Sequence, residues 1–178
     1  ALPGGIVEVP YAFTLRANGT PPIAWSALSA LPSGLTLSES GQVGGTPATE
    51  FDGTVAIRAA NAGGIRFRVL SLVVQARPSV TTTSVPTAEL GFAFSTRLES
   101  RGTAPLVWSI AAGRLPSGLS LSSPGELSGV PAESLTTYVV VRAANAAGSS
   151  ERALSVSVNP APAGLTFLGA NDRGYGEF

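Results

Sequence analysis

The sequence predicts an all-β protein: two tandem β-sandwiches of about seven short strands each, followed by a C-terminal extension. Three observations carry that reading. The same motifs occur twice, in the same order, one domain length apart. Short stretches with alternating apolar residues are separated by Gly, Pro and Asn. No segment shows the 3.6-residue period of a helix.

The repeat comes first. Leu31-Pro32-Ser33-Gly34-Leu35 returns as Leu115-Pro116-Ser117-Gly118-Leu119, 84 residues later. Gly45-Thr46-Pro47 returns as Gly129-Val130-Pro131, and Arg58-Ala59-Ala60-Asn61-Ala62 as Arg142-Ala143-Ala144-Asn145-Ala146. Trp25-Ser26 returns as Trp108-Ser109, at the slightly shorter interval of 83. A period of this length is a whole domain rather than a solenoid unit. The boundaries fall at 1–77, 78–159 and 160–178, with the linker at Ala76-Arg77-Pro78.

The strands follow in order. Tyr11, Phe13 and Leu15 alternate in the first repeat, matched in the second by Phe92, Phe94 and Thr96. Ile23-Ala24-Trp25 and Leu106-Val107-Trp108 each follow a proline, which can start a strand but not sit inside a central one. The Leu-Pro-Ser-Gly-Leu turns lead into short strands around Leu37 and Leu121. Val55 and Ile57, like Val139 and Val141, alternate with smaller or polar neighbours, the pattern of a strand with one buried face. Asn61-Ala62-Gly63-Gly64 and Asn145-Ala146-Ala147-Gly148 supply hairpin turns, because Asn and Gly tolerate positive φ. The last strands point Leu70, Leu72 and Val74, or Leu154, Val156 and Val158, to one side.

The two copies differ in three places. Phe67 and Val69 lie on the parity opposite Leu70, Leu72 and Val74, where the second copy has Glu151 and Ala153. A β-bulge near the hairpin accounts for this; contact with a neighbouring domain or a partner is the sharper alternative. The second copy has a first strand in Val80 to Val85, whereas the first has only Ala1 to Ile6, so its first strand is short, missing or supplied by another chain. The extension beyond Pro160 matches neither copy.

Composition removes most chemistry. Of 178 residues, 44% are hydrophobic and 12% charged, and the net charge is zero, so no basic field recruits nucleic acid or an anionic membrane. No apolar run approaches a membrane span. The chain has no Cys, His, Met or Lys, and its 11 basic residues are all Arg. Catalysis by Ser–His–Asp, Cys–His, Ser–Lys or Schiff-base chemistry is thereby impossible, and so is a Lys–Asn isopeptide. A carboxylate pair of Glu50, Asp52 or Glu133 remains formally open, but loop carboxylates in a sandwich are ordinarily just solvated. No cofactor and no metal site is expected. Arg in place of Lys, with abundant Ala and Gly, points to a GC-rich bacterial or phage genome, and the absence of a starting Met to a processed or excised chain.

Several conspicuous residues read as structure. Trp25 and Trp108 repeat in register and are expected in the two cores rather than on sugar-stacking platforms. Arg58 and Arg142 take the parity that faces solvent. Asn18-Gly19-Thr20 has the form of a glycosylation sequon but reads as a turn.

Taken in order, Pro22 to Ser26, Leu31 to Leu35, Gly41 to Pro47 and Arg58 to Gly64 resemble the bacterial immunoglobulin-like repeats of the He_PIG type, close to cadherin-like and dystroglycan-like domains. Their second occurrence is Pro105 to Ser109, Leu115 to Leu119, Gly125 to Pro131 and Arg142 to Gly148. The resemblance implies an immunoglobulin-like fold over residues 7 to 159. It also implies a non-catalytic structural or adhesive role, outside the cytoplasm or on a virion. Calcium-binding relatives cluster Asp at the domain junction, but Gln75 to Thr87 holds no acidic residue. The expected partner is a protein, a surface glycan, other copies of the chain, or a virion or cell-surface scaffold. Interface candidates are Phe67, Val69, Leu165, Phe167, Leu168, Tyr175 and Phe178. The last five sit beyond a stiff Pro160-Ala161-Pro162-Ala163 linker, in the start of a further domain, an arm whose residues 164–168 can add a strand to another sheet, or a disordered terminus.

Overall fold

The computed structural model describes residues 1–161, and among these there is no helix. The first sandwich contains seven strands: β1 (Gly5–Ile6), β2 (Tyr11–Thr14), β3 (Ala24–Ala27), β4 (Leu35–Leu37), β5 (Gln42–Gly45), β6 (Phe51–Asn61) and β7 (Gly64–Gln75). One sheet has the order β1-β7-β6-β3, the other β2-β5-β4. The second sandwich contains nine: β8 (Ser79–Val80), β9 (Ala88–Glu89), β10 (Phe94–Arg97), β11 (Ser100–Arg101), β12 (Val107–Ala112), β13 (Leu119–Leu121), β14 (Glu126–Gly129), β15 (Thr136–Asn145) and β16 (Gly148–Asn159). Its sheets are β12-β15-β16-β9 and β10-β14-β13, with β8 paired to β11.

Each sandwich closes over its own core. Val55, Ile57, Leu72 and Val74 from one sheet meet Tyr11, Leu35 and Val43 from the other. Val139, Val141, Leu154, Val156 and Val158 meet Leu119 and Leu127 in the second copy. Burying each such aliphatic side chain contributes roughly 1.5–3 kcal/mol, so these few positions dominate the stability of two small cores.

The long hairpins form because two-residue loops join matched strands. Asn61 pairs with Gly64 and Asn145 with Gly148. In each loop the Asn carboxamide accepts from the N–H two residues on, at 2.9 Å. The same carboxamide reaches sideways. Asn61 donates to the Thr20 carbonyl, and Asn145 to the carbonyls of Thr103 and Ala76, all at 2.8 Å. The repeated Asn therefore closes a turn and ties down an adjacent loop.

The other repeated motifs have equally local reasons. Gly41 (φ 90°) lies under the Trp25 ring: a Cβ there would stand 2.8 Å from Cδ1 and Nε1. Gly125 stands in the same relation to Trp108. At Gly34 and Gly118, also at positive φ, a Cβ would strike the backbone carbonyls of Thr46 and Val130. The Leu-Pro-Ser-Gly-Leu turn and the Gly-x-Pro strand end thus repeat together because their backbones touch.

Four expectations change. The aromatic strands align as Tyr11, Phe13 and Leu15 with Phe94, Thr96 and Leu98, two residues from the expected match. Tyr11 and Phe94 each pair with the equivalent glycine, Gly45 or Gly129, and Leu15 and Leu98 are both buried. A shift of two preserves the face of every side chain, so alternation alone does not fix it. The change of interval from 83 to 84 sits in β12, where the pairing with β15 skips between Ile110 and Ala112. The β-bulge therefore occurs there. The β6–β7 hairpin is regular from Phe51 to Gly64, so no bulge explains Phe67 and Val69. Finally, of the expected strand Val80 to Val85 only Val80 is in a strand, β8; the rest runs on as irregular chain.

Candidate functional site

The site is built where the first sandwich departs from the second. On β7, the residues facing away from the core are Ile65, Phe67, Val69, Ser71 and Val73. Four of the five are apolar and exposed, Phe67 at 65% and Val69 at 64%. Leu28, at the end of β3, bonds to the Ala56 carbonyl and is also exposed. Arg58 lies opposite Phe67 and is half-buried rather than fully solvated. The equivalent β16 positions carry Ser149, Glu151, Ala153, Ser155 and Ser157. An apolar row thus runs along the outer face of β7 and is replaced on β16 by serines, Glu151 and Ala153, with exposed Tyr138 on the neighbouring strand. Scattered apolar residues are ordinary on surfaces, whereas a contiguous row marks a contact face.

Beside this face lies a groove of about 920 Å³, lined by residues of β2 and β7 among others. Phe13, Leu15, Trp25, Ile57 and Leu70 form its apolar wall, and Arg16, Arg66 and Arg68 line it as well. Phe67 borders both the groove and the apolar row. The second sandwich has a smaller cavity of about 630 Å³ at the corresponding end. There Thr81 and Thr82 donate their N–H groups to the Glu99 carbonyl, and β8 pairs with β11. The core explains the difference at the tryptophans. Trp108 is 5% exposed, whereas Trp25 remains half-buried because nothing among the described residues covers that side of it.

The candidate carboxylates do not assemble. Glu50 is exposed ahead of β6, and Asp52 faces outward on β6. Glu133 belongs to the second sandwich, where it accepts from Arg114 Nη2 at 3.4 Å, pairs with Arg114 Nη1 at 2.6 Å and accepts from the Ser117 N–H at 2.7 Å. The Arg114 hydrogen bond, then that from Ser117, holds its carboxyl below the usual carboxylate range. Glu133 is a clamp on the repeated turn. Among the described residues no cluster of three His, Cys, Asp or Glu could hold a metal, and no helix is long and apolar enough to cross a membrane. Leu165, Phe167, Leu168, Tyr175 and Phe178 lie outside the described residues.

Sequence reasoning found Phe67 and Val69 through their parity. It missed the rest of the row, Ile65, Val73 and Leu28, and it missed the arginines. Arg66 and Arg68 were legible only as residues on the inward parity of a β-strand, an unusual place for a charge.

Two tandem immunoglobulin-like sandwiches define the class. The family profile described as "Putative Ig domain" (He_PIG) matches residues 1–76 and 72–160, and the chain belongs to that family. Comparison with curated proteins finds no match. Among solved structures, the chain is similar to Drosophila OTK extracellular domains 3–5, at TM-score 0.60 and 15% identity, covering 88% of this chain and 58% of that one. It is also similar to the titin I-band fragment I67–I69, at TM-score 0.58 and 19% identity, covering 88% and 62%. Sidekick-1 immunoglobulin domains 1–4 match at TM-score 0.60 and 16% identity, covering 88% and 46%. At these identities the likeness is one of fold. The chain spans less than two thirds of each of those structures.

Proposed function

We propose that this chain is a non-catalytic structural and adhesive module of a bacterial cell-surface, secreted or phage protein. Its two units, divided between residues 77 and 78, act as a spacer, and the first unit carries the contact surface for a protein partner. The apolar row Ile65, Phe67, Val69, Val73 and Leu28 carries this reading, because the second unit, built on the same plan, dispenses with it. A row present only for folding would recur in both. The tandem fold, the residue types that rule out most nucleophilic chemistry, and the clamping role of Glu133 all support a module without turnover. The bacterial or virion setting rests on the Arg-only basic composition and the family resemblance.

The test replaces the row by the residues of the second unit: Ile65→Ser, Phe67→Glu, Val69→Ala and Val73→Ser together. Sedimentation velocity should show association of the parent chain, with itself or with a surface preparation from its source, that is lost in the folded variant. Equal association of the two proteins removes the row from the function. Hydrolysis of a glycan or ester panel that disappears on Glu50→Gln, Asp52→Asn or Glu133→Gln would replace this reading with an enzyme. Retention on a glycan array that depends on exposed Tyr138 or Phe67 would make the partner a sugar.

A further inference from the structure

Both units carry an arginine at the same outward position, Arg58 on β6 and Arg142 on β15, but in different company. Arg142 has Glu151 directly opposite it on β16. Phe67 takes that place in the first unit, so Arg58 has no carboxylate opposite it. A carboxylate stands elsewhere on the same face instead. Asp52 pairs with Val73, where the second unit has Thr136 opposite Ser157. The negative charge is thus displaced along the sheet rather than removed.

Arg58 and Asp52 are the two charged residues at outward positions of β3, β6 and β7. They stand six positions apart on one extended strand, about 20 Å at roughly 3.3 Å per residue, too far to meet. Among the described residues the one ion pair is Arg114–Glu133. Between and beside the two charges lie Phe67, Val69, Val73 and Leu28, all exposed. Leu28 is level with Val69, because its N–H donates to the Ala56 carbonyl and Ala56 pairs with Val69. In the second unit the chain ahead of β9 does not touch this face: Val80 bonds to Ser150 and Arg152, which have the inward parity of β16.

Taking the apolar row as a contact surface, as above, we propose that its partner is the same face of a second copy of the chain, met across a two-fold axis. Two opposite charges on one strand make the face self-complementary. An axis lying in the face, across the strands at the level of Val55, sets Arg58 over Asp52 of the second copy and Asp52 over its Arg58. The same operation puts Phe67 over Val73 of the second copy, and sets Val69 and Leu28 of both copies along the axis. Sheets packed face to face lie about 10 Å apart with their strands within roughly 30° of alignment, which leaves room for these side chains to interdigitate. From Ile65 to Val73, across three strands, the face spans roughly 30 by 14 Å, so two copies bury on the order of 1,000 Å², the lower bound for a specific interface. Association should be reversible, with a Kd of about 10–100 µM. The long strands of the two copies run in opposite directions, which suits chains projecting from facing surfaces, where many weak contacts add as avidity.

Sedimentation equilibrium of the whole chain over about 5–500 µM, which brackets that Kd, supplies the test. Arg58→Asp and Asp52→Arg each set like charges at both ends of the symmetric contact, so each variant alone should lose at least about tenfold in self-association. Mixed in equal amounts, the two variants should bind each other about as tightly as the native chain binds itself, since opposite charges then meet. A chain carrying both reversals should self-associate again. Circular dichroism of each variant checks its fold. Should a reversal unfold the first unit, the native chain decides through its amide shifts on dilution, expected at Leu28, Ala56 and Val69. The proposal is overturned by a native chain that stays monomeric, by single reversals that self-associate as the native chain does, or by a mixture that does not restore the contact. Dilution shifts confined elsewhere overturn it too. A monomeric native chain that still binds a surface preparation through the row overturns the second copy as partner and leaves the contact surface itself standing.

Discussion

The two units share one core plan and differ most along their last long strand, β7 in the first and β16 in the second. Their shared residues are those on which folding depends, and their differences are concentrated on β7, the outer face and the groove. A repeat protein thus contains its own control: a residue kept in both copies is explained by packing, and one present in a single copy needs another reason. Substitutions made in parallel at equivalent positions turn that comparison into measurements.

The largest difference is expected at the tryptophans. Trp108→Ala should cost about 3–5 kcal/mol, the usual loss for a buried large aromatic. Trp25→Ala should cost roughly half of that, since its ring is already partly wet. Chemical denaturation of each variant, followed by backbone probes in each unit separately, checks the ranking; equal costs would mean that the groove does not loosen the first core. Next come the glycines beneath these rings. Gly125→Ala should cost about 3 kcal/mol, combining positive φ with a clash against an immobile ring. Gly41→Ala should cost about 1–2 kcal/mol, because Trp25 has open space beside it. Tyr11→Phe imitates Phe94 and removes the 3.0 Å hydrogen bond to the Pro3 carbonyl, for a loss of about 1 kcal/mol in the first unit.

The smallest expected effect is a pH dependence confined to the second unit. The carboxyl of Glu133 titrates lower in the folded chain than in the unfolded one. Its contribution is therefore complete above the ordinary carboxylate range and is lost as pH falls through that range towards the lowered folded value. Melting of the second unit should lose a little stability on acidification that Glu133→Gln abolishes, with the first unit unaffected. A loss of the same size in the variant would assign it to other carboxylates.

Much of the fold was legible because packing leaves a periodic trace. The alternation of Val55 with Ile57, the Asn–Gly turns and the paired glycines each record a steric demand at fixed spacing. Registers were less legible. Phe92 and Phe94 share a parity, so the sequence does not say which one opposes Gly129. The extra residue in β12 showed only as a change of interval, and a bulge was expected at Phe67, where the hairpin is in fact regular. The groove could not be read directly, because its arginines are brought beside Phe13 and Trp25 from distant parts of the chain.

The parallel pairing of the outer strands has a mechanical consequence. Gly5 and Ile6 lie beside Val74 and Gln75, and Ala88 and Glu89 beside Val158 and Asn159. Each unit is thus entered and left on adjacent strands that run the same way. Tension applied along the chain draws those strands past one another, loading their hydrogen bonds together in shear instead of peeling them one at a time. Further bonds join the same pairs of segments: the Leu2 N–H donates to the Ser71 carbonyl in the first unit, and in the second the Val80 N–H donates to Ser150 Oγ while its carbonyl accepts from Arg152 Nη1.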